Sequence, residues 1–339
     1  MNEHTIVIPK WWNLDGLLKW GSTLFCSPHA DRYYIDFKDM GWMEPFPLLF
    51  LSSSILRFKA MRPESEFLHK NFQQHTYAAH MGLFKSLNID FGNKPGEAKG
   101  SDNYLPINIL SIRDLQKKAI NETIHIGQLL ENHAKQLARL LTREDNSNLA
   151  DTLTYTLREI MRNAVEHSNS DSFLYCGQYW PTKNVVQIAI LDSGIGVRES
   201  LSRNPKIRIT SDEHALRLST LPGISGKPCS SAIEEYDGWE NSGYGLYLTK
   251  RLCTTGGSFF ICSGNKGLYS KPNKNETYLD ANFQGTALRL SLDKNSTSSL
   301  KTALRQFRID GEEIAKKFDA DSPKASASSR GIISRKNTK

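Results

Sequence analysis

The sequence predicts an α/β protein of two units, a smaller α/β domain over residues 1–123 and a larger one over 124–295, with a helix and tail over 296–339. Two observations carry this. Strand-like and helix-like segments alternate through residues 5–91, the pattern of successive βα units. Farther along, two long helical runs precede a pair of strand segments that flank one four-residue turn, Pro181-Thr182-Lys183-Asn184.

In chain order, Thr5 to Ile8 reads as a strand. Leu14 to Phe25 reads as a helix, because Leu14, Leu17, Leu18 and Leu24 recur at helical spacing. Arg32 to Phe37 (RYYIDF) is rich in β-favouring residues, and Pro47 to Phe58 is apolar enough for a buried helix. Gln73 to Leu87 is expected to be a further helix and Asn88 to Phe91 a short strand. Gly92 to Asn103 (GNKPGEAKGSDN) is polar and glycine-rich, hence a loop. Tyr104 to Leu110 is a strand that Pro106, lacking an N–H, keeps near a sheet edge. Ile124 to Leu141 and Leu149 to His167 are helices, and Phe173 to Trp180 and Val185 to Leu191 are paired strands. Val197 to Ser242 is long and irregular, with Pro205, Pro222, Gly223, Gly226 and Pro228; so long a loop inside a domain is functional or disordered. Gly245 to Cys253 is a helix, Ser258 to Ser263 and Thr286 to Leu292 are strands, and Ser299 to Phe318 is a last helix.

Composition narrows the class. The chain has 339 residues, 39% hydrophobic and 23% charged, as in a globular protein. Its longest apolar stretch, Pro45 to Leu51, falls far short of the ~20 residues that cross a bilayer. The start, MNEHTIVIPK, lacks a basic segment followed by an apolar core, so no secretory signal is expected and the expected location is cytoplasmic. Five cysteines without a C-x-x-C pair argue for reduced thiols rather than a zinc site or disulfide framework. The net charge of +7 suits a protein that holds a polyanion but does not indicate nucleic acid beyond a basic tail. That tail, Ser322 to Lys339, is serine-rich and reads as solvated and disordered.

Four constellations carry chemistry. In REIMRNAVEHS, Glu159, Asn163 and His167 are spaced by four and share one helix face, beside the apolar stripe Leu153, Leu157, Ile160 and Ala164. A carboxylate there can act as general base, and an amide oxygen beside it can hold Mg²⁺, which prefers oxygen ligands. Asp192-Ser193-Gly194-Ile195-Gly196 follows directly on the strand VVQIAIL. Its carboxylate can accept a hydrogen bond, and its glycines let backbone approach a ligand. Gly243-Tyr244-Gly245-Leu246 opens a helix, whose free N–H groups suit phosphate. Gly285-Thr286 opens a strand, with a hydroxyl for a polar ligand edge. Each also fits a bland role when taken alone: a solvated helix face, a strand-to-loop turn, a flexible helix start, a surface threonine.

Taken in order, the four resemble the GHKL ATPase family, which includes gyrase, histidine kinases and MutL. The E-x-x-x-N-A-x-x-H run is similar to its N box, DSGIG and GYGL to its two glycine boxes, and GT to its final strand, over residues near 128 to 293, about half the chain. The resemblance implies a Bergerat-type two-layer α/β sandwich, a mixed sheet covered by helices on one face, over 124–295. It implies ATP and Mg²⁺ as ligands. Glu159 would be the catalytic base and Asn163 the Mg²⁺ ligand, with His167 on the same face. Asp192 would read the adenine amino group, with Gly194, Ile195 and Gly196 around base and ribose. Gly243, Tyr244, Gly245 and Leu246 would line the triphosphate, and Thr286 would support adenine. Val197 to Ser242 would be the ATP lid, and Lys227 its cation near the γ-phosphate. The segment GISGK is no P-loop: it lacks the G-x-x-x-x-G-K-[ST] spacing and Pro228 follows its lysine.

The expected activity is Mg-ATP hydrolysis that switches an interface with a protein partner. The alternatives are phosphotransfer to a partner, in the manner of anti-sigma-factor or histidine kinases, and ATP binding with little turnover. His125 and His133 lie on the helix before the N box, but in THI and NHA rather than the acidic H-E/D context of phosphoacceptors. Many family members dimerise, so a homodimer is one implied assembly. RYYIDFKDMGWMEPF and the later YLPI look like the STAS-like domains that accompany some of these proteins, which implies an interaction module over 1–123.

Overall fold

Parallel strands need crossover connections, and the N-terminal unit supplies them with helices. In the computed structural model, which describes residues 1–10, 13–100, 103–144, 147–226, 242–297, 299–318 and 324–332, β1 (Glu3–Val7), β2 (Arg32–Asp36) and β3 (Glu66–Lys70) form a parallel sheet in that order. The crossovers are α1 (Leu14–Phe25) and α2 (Pro45–Ala60). Asn13 caps α1 by accepting from the Gly16 N–H at 2.7 Å. Pro45 and Pro47 sit in the first turn of α2, where the missing N–H groups have no intrahelical partner to lose.

The single helix expected over Gln73 to Leu87 is two short ones, α3 (Thr76–His80) and α4 (Leu83–Ser86), divided by Gly82 at φ +93°. The strand expected at Asn88 to Phe91 is a turn, with Asn88 itself at φ +63°.

A five-stranded sheet follows, in the order β4-β5-β6-β8-β7. Its strands are β4 (Tyr104–Ser111), β5 (Ser172–Trp180), β6 (Val185–Asp192), β7 (Ser258–Ser270) and β8 (Thr277–Asp293). β4 takes the edge that Pro106 demands. Between the strands run α5 (Ile112–Glu122), α6 (Ile126–Thr142), α7 (Asn148–His167), α8 (Gly196–Ser202), α9 (Asp212–Ser219) and α10 (Gly245–Cys253), and α11 (Leu300–Phe318) comes last.

Two expectations about this sheet are corrected. It is not mixed: each neighbouring pair of strands is antiparallel. Nor is it covered on one face. Val186, Ile188 and Ile190 of β6 pack with Leu130, Leu137, Leu153 and Leu157 of α6 and α7. Ala189 and Leu191, pointing the other way, pack with Leu17 and Leu18 of α1 and Leu48 and Ile55 of α2. The run VVQIAIL is apolar at both parities because both of its faces are buried. The N-terminal unit therefore forms the back wall of the second sheet.

A third core joins α7, α10 and α11 through Tyr155, Tyr244, Tyr247, Leu248, Leu300 and Leu304. Ala325 belongs to it as well, at 1% exposure. Residues 324–332, which composition assigns to a solvated tail, thus lie against the folded body. Among the described residues no helix is long and apolar enough to cross a membrane, and Cys26, Cys176, Cys253 and Cys262 are free thiols.

Candidate functional site

One cleft, with an empty volume of about 800 Å³ including its open mouth, gathers residues from all four sequence constellations. α7 is nucleated at Ser147, whose hydroxyl accepts from the Ala150 N–H at 3.1 Å, and it runs unbroken to His167. Its four-residue spacing brings Asn163 and His167 to the cleft. β6 ends there with Asp192, β8 contributes Thr286, and α10 begins there with Gly245 and Leu246 just after Gly243.

Asp192 is 5% exposed, and its Oδ1 accepts from the Gly194 N–H at 3.0 Å. Burial pushes its carboxyl up to about 6, against the opposing pull of hydrogen bonds from Gly194 and Thr286. It is thus an acceptor in an apolar wall formed by Ile160, Ile190, Ile261 and Leu288, suited to a ligand group that donates a proton.

Gly196 also lines the cleft, at φ +77°, and a Cβ there would meet Ser263 Oγ at 2.6 Å. Gly194 and Ile195 do not line it. They seal the loop against the end of α7, where the Ile195 N–H donates to the Ser168 carbonyl at 2.8 Å. Tyr244 is wholly buried in the third core, its phenol pushed up to about 12 by burial. Lys227 lies outside the described residues.

Glu159 stands one turn before Asn163, is 4% exposed, and is not among the residues lining the cleft. Its Oε1 accepts from Nε and Nη2 of Arg158 at 3.1 and 2.6 Å. Its Oε2 faces the start of α10: a Cβ on Gly245 would stand 2.3 Å from it. Arg158 is fully buried and reaches further partners, Glu131 Oε2 at 2.7 Å and the carbonyls of Ser328 at 2.6 Å and Gly331 at 2.9 Å. Burial opposes its charge, but Glu159, Tyr155 and Glu131 outweigh that and hold its guanidinium above the usual range. No local pattern marks Arg158. On the helix it resembles a solvated cation, and what buries it arrives 170 residues later.

Of the expected lid, residues 197–226 and 242 are described. Ser200 and Leu201 of α8, Ser219 of α9, and Ile224, Ser225 and Gly226 close one wall of the cleft. The Gly223 N–H donates to the Gly243 carbonyl at 3.2 Å and ties this wall to the start of α10. Gly223, which opens the GISGK segment at φ +79°, lies against Gly243, and Gly226 lies against the Ser200 carbonyl.

Among the described residues, no group of three or more His, Cys, Asp or Glu is placed to hold a metal ion. A hard cation here would take the Asn163 amide oxygen, the oxygens of a bound ligand, and water. No protein-family model matches the chain, and no curated protein matches it.

Proposed function

We propose that this cleft binds ATP and that the chain is a GHKL-type ATPase acting as a nucleotide-dependent switch on a protein partner. The observation that supports this best is the convergence on one cleft of Asn163 and His167, Asp192 and Gly196, Gly243, Gly245 and Leu246, and Thr286. Each is a weak signal alone, and their meeting in one cleft supports the reading.

Asp192, at the end of β6, accepts from the adenine amino group, and Thr286 beside it supports the base. The open N–H groups at the start of α10 receive phosphate oxygens, with the helix dipole aiding them. Asn163 offers its amide oxygen to Mg²⁺, which when bound neutralises phosphate charge. Glu159 is held by Arg158 with Oε2 toward Gly245, and serves as base toward the attacking water. Closure of the wall formed by Ile224 to Gly226 against Gly243 responds to the terminal phosphate and relaxes after hydrolysis, which gives the partner two surfaces to discriminate.

The antiparallel sheet with the N-terminal unit on its back face departs from the one-face sandwich of the Bergerat type. The N-terminal unit packs on the face of the sheet opposite the cleft, whereas the antiparallel strands β6, β7 and β8 themselves line it. The N-terminal unit, read as STAS-like, is the proposed docking module. A histidine kinase is disfavoured by two placements. His125 caps α6 by accepting from the Gly127 N–H, and His133 is packed against the Tyr175 hydroxyl at 3.2 Å.

Isothermal titration of ATP and ADP with Mg²⁺, followed by phosphate release on the same sample, tests the reading. Binding with release supports it. Binding without release shifts the assignment to phosphotransfer or to a binding module, and absence of binding refutes it.

A further inference from the structure

The segment 324–332 bridges two parts of the molecule that meet at Glu159. On one side it holds α7: the carbonyls of Ser328 and Gly331 accept from Arg158, and Ser328 Oγ accepts from Arg162 Nη1 at 2.9 Å. On the other it holds the approach to α10, where the Ser326 N–H donates to Ser242 Oγ at 3.1 Å, one residue before Gly243. Ser328 and Ser329 are buried, at 0% and 3% exposure. The segment has no regular structure beyond one 3₁₀ turn, Ser328–Arg330, and its apolar anchors are Ala325 and the partly buried Ile332. So small an apolar anchor means that undocking exposes little apolar surface, while it strips the buried hydrogen bonds to Arg158, Arg162 and Tyr155.

We infer that residues 324–332 form a strap in cis that fixes the buried Arg158, and that Arg158 is a positioning residue for Glu159. The inference rests on the ATPase reading. A guanidinium has five N–H donors in a rigid fork. With the strap docked, the fork is fixed by the Ser328 and Gly331 carbonyls and Glu131 while it grips Glu159 Oε1, which leaves Oε2 toward Gly245. When the strap leaves, two acceptors leave with it, water reaches Arg158, and the fork is free to re-aim together with the carboxylate it holds. Docking thus sets turnover, while the residues that hold ATP stay in place.

The test compares the intact chain, a chain ending at Phe318, and Arg158→Lys, which keeps the charge and loses the fork. The truncated chain is expected to bind ATP within about twofold of the intact chain and to turn it over at least about tenfold more slowly. A synthetic peptide of residues 324–339 should restore turnover. Arg158→Lys should lower kcat at nearly constant KM. Turnover in the truncated chain equal to or above that of the intact chain overturns the inference, as does loss of ATP binding with the strap, failure of saturating peptide to rescue, or an unchanged kcat in Arg158→Lys. If the intact chain does not bind ATP, the ATPase reading fails on its own, and hydrogen exchange judges the strap. Amides of α7 around Arg158 that exchange faster in the truncated chain and slow again with peptide support it; unchanged exchange overturns it.

Discussion

Asp192 and Thr286 face each other across β6 and β8, where Thr286 biases the Asp192 carboxyl toward its anion. The Gly194 N–H adds to that bias, yet burial outweighs both and raises the carboxyl from 3.8 to about 6. The group is therefore ionised at neutral pH and close to losing that state under mild acid.

A ligand that donates to this carboxylate prefers the ionised form. ATP affinity is accordingly expected to fall as pH drops through about 6, and Asp192→Asn to weaken binding and flatten its pH dependence. Stability runs the other way. The folded state binds the extra proton between 3.8 and about 6, so this group's contribution is full below that window and lost as pH rises through it. Asp192→Asn should then stabilise the protein at about pH 8, by on the order of 2 kcal/mol. Titration calorimetry and thermal melts from about pH 5 to about pH 8 check both signs.

Glu159→Gln keeps an acceptor beside Arg158 and removes the base. ATP binding is expected to survive, and turnover to fall on the order of a hundredfold or more. Glu159→Ala should do the same at a greater cost in stability, because it strips a carboxylate from a buried guanidinium. Phosphate release from either variant at the rate of the unaltered chain would remove Glu159 from its role.

Local pattern made much of this fold legible. The leucines of α1 mark one helix face, and Phe173 to Trp180 and Val185 to Leu191 flank a plain turn; both assignments match the structure closely. What escaped depends on distant contacts. β3 is only EFLHK, short and half-exposed, with too few residues to show a period. The apolar run of β6 signals two buried faces, but its second partner is α2, far upstream. At the site, Asn163, His167, Asp192 and Thr286 were legible because each sits at the end or on the exposed face of a well-signalled element. The Arg158 to Ser328 contact was not, since nothing in REIMRN points to a carbonyl in the tail.

Gly245→Ala tests the approach of Glu159 to α10. The added methyl would stand 2.3 Å from Oε2, so either the carboxylate or the helix start must move. A displacement of about 1 Å in a catalytic group can cost on the order of a hundredfold in rate. Turnover should fall by that order, whereas melting should change little, because alanine favours a helix more than glycine does. Undiminished turnover would mean that Oε2 has room to retreat without consequence.

Asn163→Ala is expected to weaken ATP binding in Mg²⁺ and to leave binding in chelator unchanged. The reason is that with no acidic metal cluster among the described residues, the amide oxygen is the proposed protein ligand. Equal ATP affinity of the unaltered chain with and without Mg²⁺ would contradict the assignment.

Glu131→Ala separates stability from catalysis. Glu131 lies on α6, fully buried, with Oε2 at 2.7 Å from Arg158 Nη1. Removing one carboxylate from a buried ion network costs roughly 3–5 kcal/mol, a large share of the ~5–15 kcal/mol that holds a typical domain together. The variant should melt well below the unaltered chain. Replacing Glu131 and Arg158 together by methionine removes that pair but leaves the buried Glu159 without its guanidinium, so only part of that stability should return. Turnover should not return with it, because Glu159 would have lost the guanidinium that orients it. A double variant both stable and active would show that Arg158 serves the fold alone.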